Sequence, residues 1–242
     1  MKISILLPYK ENFSATYAGA VSLFVKDTVK LSEYRKYITV FGNTNLKNIF
    51  KLTYTNIELK KNLIQSGSKL YVNEFLKFEE ESPSDLIEIH NRPNYFHLIH
   101  KKIINQKVVL YFHNDPLTMT GSKSKADRKK LLSYVAKIIF NSHWSRKRFL
   151  QGIETTHVNS EKLSVIYQSI SSAKVDLNKK KRWITFVGKL NQAKGYDLFG
   201  KAVLKILNKY KQWKAMVIGD EPRSTLHFKH KRLNNLGFTN HN

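Results

Sequence analysis

The chain has 242 residues, 41% of them hydrophobic and 12% aromatic, a globular composition long enough for one large domain or one and a half ordinary ones. It contains no cysteine, which excludes disulfides, thiolate metal sites and cysteine nucleophiles. The formal net charge of +24 points to an anionic partner: nucleic acid, a phospholipid surface or a phosphorylated substrate.

Part of that charge has a plainer source. The 42 basic residues are 34 Lys and 8 Arg, alongside many Asn and Ile, a skew that an A/T-rich genome writes. The rest is concentrated in KSKADRKK (123–130), RKR (146–148) and KKKR (179–182). The opening MKISILLPYKEN does not resemble a signal peptide, and no stretch approaches the roughly 18 apolar residues of a membrane span. The expected compartment is the cytoplasm.

Apolar runs alternate with helical patterns along the chain. ISILLPY (3–9) is a short apolar run, 17–34 has helical spacing through Val21, Phe24, Val25, Thr28 and Leu31, and YITVFGN (37–43) is β-branched. The stretch 44–70 is ambiguous, with KLTYTNIEL (51–59) alternating like an edge strand or hairpin, and 71–82 is an amphipathic helix. Strands follow over 85–93, 107–116, 136–142 and 162–170, with helices over 95–103, 125–135 and 143–153 between them. Continuous apolar strands separated by helices predict an α/β fold with a parallel sheet covered on both faces. Ligands of such sheets bind at the strand carboxyl ends.

SSAKVDLNKKKR (171–182) has no apolar period and reads as a linker, with 1–172 the first domain, 173–182 the linker proper and 183–242 a second, partial α/β domain. WITFVG (183–188) and AMVIGD (215–220) are its strands, and RLNNLGFTNHN (232–242) leads toward a third. Its helix, 198–210, places Leu198, Phe199, Ala202, Val203, Ile206, Leu207 and Tyr210 on one face. About 60 residues cannot bury both faces of a new sheet. The piece either leans on the first domain or belongs to a longer sequence.

GYDLFGKA (195–202) imitates the spacing of a phosphate-binding P-loop, but Ala202 stands where a magnesium-binding hydroxyl is required. No Gly-x-Gly-x-x-Gly and no Asp-x-Asp occurs. The pairs His97/His100 and His227/His230 lack a third ligand at a diagnostic spacing, so no metal site is expected. His90 and His113 each end a predicted parallel strand, where a ligand crevice opens; a structural role such as hydrogen-bonding a loop is the competing reading for either, and His113 is favoured as functional, the candidate catalytic residue. Lys189 and Lys194 bracket the loop between a strand and a helix, with Gly188 and Gly195 leaving room at the backbone. Cations at a helix amino end suit a phosphate and would stabilise a leaving diphosphate without a metal. The competing reading is two solvated lysines among 34.

The segment FVGKLNQAKGYDLFGKAVLKI with KAMVIGDEP resembles the hinge-crossing region of GT-B glycosyltransferases, specifically glycosyltransferase family 4. There a strand ends in Val-Gly-Arg, a loop ends in Lys-Gly before a helix, and a later strand ends in Gly-Asp-Gly-Pro. Here these positions are Val187, Gly188, Lys189, then Lys194, Gly195, then Gly219, Asp220, Glu221, Pro222. The segment 17–34 resembles the family's glycine-containing turn and first helix, with Gly19 and Ala20 in place of two glycines. DLIEIHNRP and IIFNSHWSRKRFL resemble its strand-end His and its Ser-x-x-x-Lys helix start, and VIYQSIS its strand into the linker. The resemblance covers nearly the whole chain.

It implies a GT-B fold, a Rossmann-like acceptor-side domain followed by the first part of a Rossmann-like nucleotide-sugar domain. The implied activity is sugar transfer from a nucleotide-sugar donor to a glycan or lipid-linked acceptor in cell-envelope polysaccharide or lipopolysaccharide synthesis. Such transfer usually retains configuration and needs neither metal nor cofactor. Lys189, Lys194, Gly19 and Ala20 map onto the donor diphosphate contacts, and His113 onto a histidine near the reacting sugar. His90, Asn91 and Arg92 are acceptor-side candidates. Lys for Arg at 189 keeps the charge but loses the bidentate fork. The family's Glu–seven residues–Glu motif should follow well after LGFTNHN and is not found there, so the chain is expected to be a partial sequence, poorly active alone. Peripheral contact with anionic lipid at the inner face of the cytoplasmic membrane is a further expectation, through the basic helices at 123–130 and 146–148. Two alternatives remain: a basic nucleic-acid-binding protein, which the diffuse lysines and lack of a recognisable module disfavour so that no nucleic acid is expected, and a non-catalytic acceptor-binding protein.

Overall fold

A computed structural model describes residues 1–59, 66–103, 105–154, 156, 158–169, 174–222 and 224–239. Parts of four expectations lie outside the described residues: 60–65 of the ambiguous stretch, 170 of the last strand of the first domain, 171–173 of the linker, and 240–242 of the third-strand segment. The chain divides into two units, Met1–Ile170 and Ser171–Asn242.

In the first unit β1 (Ile3–Leu6), α1 (Ala20–Leu31), β2 (Ile38–Gly42), β3 (Tyr54–Asn56), α2 (Gly67–Glu81), β4 (Leu86–His90) and α3 (Pro93–Ile99) follow in order. Then come β5 (Lys107–Phe112), α4 (Lys125–Tyr134), β6 (Lys137–Phe140), α5 (His143–Leu150) and β7 (Leu163–Val165). All seven strands are parallel, in the order β3-β2-β1-β4-β5-β6-β7. The order reverses between β1 and β4, the switch point at which the following loops part to opposite faces and leave a crevice.

The two faces are clad unequally. Leu6, Phe41, Ile87, Ile89, Leu110, Phe112, Ile138 and Phe140 pack with α2, α3, α4 and α5 in one core. On the other face Ile5, Leu7, Ile38 and Val40 pack against Val21, Val25 and Val29 of α1 and against Phe13 of the loop before it. The Tyr71 hydroxyl donates toward the carbonyls of Leu7 and Phe41, at 3.1 and 3.2 Å, fixing the carboxyl ends of β1 and β2 from within the core.

Several boundaries move for identifiable reasons. The strand expected through residue 93 stops at His90 because Asn91 takes a left-handed φ of 56°. Pro93 then opens α3 at its first position, two residues before the expected start. Ser66 caps α2, donor Lys69 N at 3.4 Å, and starts it four residues early. The alternating stretch 51–59 supplies a parallel edge strand and no hairpin. β7 covers three residues of the nine expected; Ile166 and Tyr167 beyond it are exposed at the sheet edge.

In the second unit β8 (Trp183–Val187), α6 (Tyr196–Lys209), β9 (Lys214–Ile218) and β10 (Leu233–Asn235) form a parallel sheet ordered β10-β9-β8. Ile184, Phe186, Ala215, Val217 and Leu233 meet α6 on one face. Val187, 72% exposed, belongs to the opposite face, where no described helix packs. The helix buries part of the expected stripe, with Phe199, Val203 and Leu207 on the core face, and shifts it toward Tyr196 and Gly200. Tyr196, Gly200, Val203 and Leu207 are buried, while Leu198 and Tyr210 are exposed. The stripe shifts because Phe228, from the β9–β10 connection, lies on the helix where Gly200 leaves space; a Cβ there would meet its ring at 2.2 Å. GYDLFGKA is therefore a left-handed turn residue running into helix, and not a phosphate loop.

Candidate functional site

Parallel strands β4 and β5 end side by side, His90 opposite Tyr111 in register, so His90 and His113 emerge together at the carboxyl edge. His90 Nδ1 lies 2.9 Å from His113 Nε2, and His90 Nε2 lies 2.6 Å from Glu88 Oε1. The amide nitrogen of Gln168, beyond β7, reaches His113 Nδ1 at 2.6 Å. Tyr111 stacks on His90 with centroids 4.6 Å apart, and Phe24 of α1 meets His113 edge-on at 5.0 Å. Asn91 Oδ1 accepts from the His113 backbone N–H at 3.3 Å, and the Asn141 amide donates to the His113 carbonyl at 2.8 Å. His90 is fully buried. Burial first, and the neighbouring His90 second, push the His113 pKa down to about 3, so this imidazole is neutral at ordinary pH.

The structure thus brings together three of the predicted residues, His90, Asn91 and His113. Arg92 is turned back on its own turn, donating to the Asn91 carbonyl at 2.8 Å. Gly19 and Ala20 form the amino end of α1, one turn before Phe24. The carboxylate of Glu11 already sits there: Ser22 N–H donates to its Oε1 at 3.2 Å, and a Cβ on Gly19 would lie 2.1 Å from that oxygen. An internal anion therefore takes part of the helix-end hydrogen bonding that a phosphate would use.

Lys189 and Lys194 belong to the second unit. The loop after β8 makes a 3₁₀ turn over Gln192–Lys194, capped by the Asn191 side chain, and Gly195 turns left-handed, φ 73°, into α6. Both lysine side chains are exposed, and among the described residues neither pairs with a carboxylate. Gly188, Gly219 and Gly237 follow the three strands, and Gly188 N donates to the Ile218 carbonyl at 3.0 Å. Gly219 is forced: its Cβ position lies 2.0 Å from the Gly188 carbonyl oxygen.

Among the described residues no group of three or more metal-ligating side chains assembles. His97 bonds to the Gly121 carbonyl, and His100 stacks on Phe96. Two arginines of the basic clusters are also used internally. Arg128, 4% exposed, donates to the carbonyls of Ser122, Lys123 and Gln151, and Arg148 pairs with Asp115 at 2.9 Å. The Arg148 guanidinium holds the Asp115 carboxyl below its ordinary range. Among the described residues no helix is long and apolar enough to cross a membrane.

Sequence reasoning did not find Glu88, Asn141 or Gln168. Glu88 carried a signal, since a carboxylate two residues before His90 on one strand must share its face. Gln168 carried none; it lies 55 residues from its partner.

The architecture is the GT-B, glycosyltransferase-like fold. No family model matches the chain, and no curated protein matches it in sequence. Among solved structures, HepE of Anabaena in complex with UDP-glucose aligns with a TM-score of 0.69 at 17% identity, over 99% of this chain and 70% of that one. The apo lipopolysaccharide outer core galactosyltransferase WaaB gives 0.63 at 14% identity, over 99% and 68%. A UDP-N-acetylglucosamine 2-epimerase from Rickettsia bellii gives 0.56 at 13%, over 98% and 68%. At these identities the likeness is one of fold.

Proposed function

We propose that this protein is a glycosyltransferase, moving a sugar from a nucleotide-sugar donor to a glycan or lipid-linked acceptor in cell-envelope polysaccharide or lipopolysaccharide synthesis. The reading is of a retaining, metal-independent reaction with no cofactor. The observation that carries it is the β8–α6 turn, where two lysines without a carboxylate partner among the described residues flank a helix amino end beside glycines at strand carboxyl ends. In support, HepE of the same fold holds UDP-glucose. In this reading Lys189 and Lys194 contact the donor diphosphate, while His113 meets the sugar and His90, Asn91 and Arg92 serve the acceptor side. Gly19 and Ala20 would add backbone contacts once Glu11 moves aside.

The test is calorimetric titration with UDP-glucose. Lys189→Ala and Lys194→Ala should each weaken binding about tenfold, the scale of one partly exposed charge-assisted contact. Unchanged affinity in the double variant overturns the assignment. Salt-resistant binding of random DNA would favour the nucleic-acid alternative, because nonspecific lysine contacts fade steeply with salt.

Membrane contact is part of the same proposal. Lys125 and Lys129 of α4, with Lys147 and the 58%-exposed Trp144 of α5, present basic and aromatic side chains to solvent. The protein should co-sediment with phosphatidylglycerol vesicles more than with phosphatidylcholine vesicles, and Lys125→Ala/Lys129→Ala/Lys147→Ala should reduce the difference. Equal sedimentation with both lipids removes this part.

A further inference from the structure

The hydrogen bonds around His113 allow one arrangement of protons with both rings neutral. At the far end the Gln168 amide nitrogen lies on His113 Nδ1, which then accepts; this exposed amide can equally turn its oxygen to the ring, so the direction is set from the buried Glu88 end. The proton of His113 is then on Nε2, directed at His90 Nδ1, which must accept in turn. That leaves the His90 proton on Nε2, where Glu88 Oε1 receives it. Starting from Glu88, an acceptor, and moving outward gives the same assignment. The four side chains form a chain with one direction, from Gln168 through His113 and His90 to Glu88.

We propose that Glu88 and His90 are positioning residues that fix His113 as its Nε2–H tautomer, so that His113 offers a ligand an acceptor, Nδ1. His90, fully buried, stacked on Tyr111 and hydrogen-bonded edge to edge with His113, has no path to a ligand of its own. Its role is exerted through the neighbouring ring. Glu88 does not touch His113 and acts one step further back. Gln168, exposed at the open end of the chain, holds the place at Nδ1 that a donor group of the ligand takes, such as a hydroxyl. The inference extends the proposed function by stating what His113 presents. The tautomer itself is a property of the unliganded protein.

The test is long-range ¹H–¹⁵N correlation of histidine-labelled full-length protein at pH 7, with His90 and His113 identified by His90→Phe and His113→Gln. Both rings should show a protonated-type Nε2 and an unprotonated-type Nδ1. Glu88→Ala should shift His113 toward a mixture of tautomers despite the intervening ring. Glu88→Gln keeps a carbonyl acceptor at the same place and should restore the single form. Wild-type His113 protonated on Nδ1 overturns the proposal, as does a folded Glu88→Ala protein with an unchanged His113 pattern. Should Glu88→Ala not fold, His90→Phe serves instead: it keeps a ring against Tyr111, removes the acceptor, and should release the His113 tautomer. UDP-glucose titration into the same sample keeps the two questions apart. With the tautomers as expected and no response to UDP-glucose, the donor reading fails and the positioning pair stands.

Discussion

Gly219→Ala is expected to unfold the second unit while leaving the first intact. Gly219 has φ +132°, a region that residues with a Cβ rarely enter, and strain of this kind costs about 1–3 kcal/mol. The larger obstacle is steric. The added Cβ would sit 2.0 Å from the Gly188 carbonyl oxygen and 2.8 Å from its carbon, and both are backbone atoms that cannot swing aside. Relief requires separating the ends of β8 and β9, which are joined there by Gly188 N donating to Ile218 O, while Gly219 N donates to Gly237 O beyond β10. The combined cost, on the order of 3–5 kcal/mol, rivals the whole stability of a small unit with one helix on one sheet face. Hydrogen exchange followed by mass spectrometry should show protection lost across 183–187 and 214–218 but kept across 86–90 and 107–112. Gly152→Ala is the control: its φ is +74° but nothing lies within 4 Å of the added carbon, so about 1 kcal/mol is expected. Wild-type protection of β8 and β9 in Gly219→Ala would show that the glycine contact is not what ties these ends together.

The contrast between those glycines also shows what could be read before the structure. Gly188 and Gly195 stand at a strand end and a helix start, where spacing alone suggested open backbone, and both do have positive φ. That Gly219 must face Gly188 depends on the register of β8 with β9, which sequence does not encode locally. The parallel sheet was legible because buried strands such as KVVLYF and KIIF are continuous apolar runs. In α6 Phe199, Val203 and Leu207 follow the apolar periodicity, but the burial of Gly200 does not, because periodicity counts apolar residues and is blind to a glycine. The partner that selects Gly200 for the inside is Phe228, 28 positions away. The candidate site followed the same rule. His90 and His113 were found because strand ends are local features. The groups that determine their chemistry were not: Gln168 is 55 residues from His113, and Glu11 reaches the α1 amino end from within a loop. Lone polar residues inside apolar strands, Glu88 among them, are where a parity argument could have gone further.

Acidification between pH 7 and pH 5 should destabilise the first unit by about 2 kcal/mol through His113 alone. Its folded pKa is about 3 against 6.5 for the free side chain, so the folded protein binds fewer protons at this position than the unfolded chain. The associated stability is fully present above pH 6.5. It falls as the unfolded state takes up its proton, by about 1.4 kcal/mol per pH unit, and is exhausted near pH 3. The groups around the ring do not reverse the sign. His90 across the 2.9 Å contact disfavours a positive charge on His113, Phe24 of α1 and Gln168 beyond β7 are neutral, and Glu88 is separated from His113 by the His90 ring. Asp115 nearby has its carboxyl lowered by Arg148 and so titrates below this window. The measurement is urea unfolding at pH 7, 6 and 5, followed by Trp144 in a background where Trp183 and Trp213 are Phe. His113→Gln, which retains hydrogen-bonding capacity without a titrating ring, should lose less stability over the same range, by about the same 2 kcal/mol. His100, whose pKa is also lowered, contributes equally to both proteins and cancels in the difference. Parallel pH dependences for the two proteins would mean that His113 accepts a proton readily in the folded state, and with that the neutral acceptor assigned to the end of β5 would be lost.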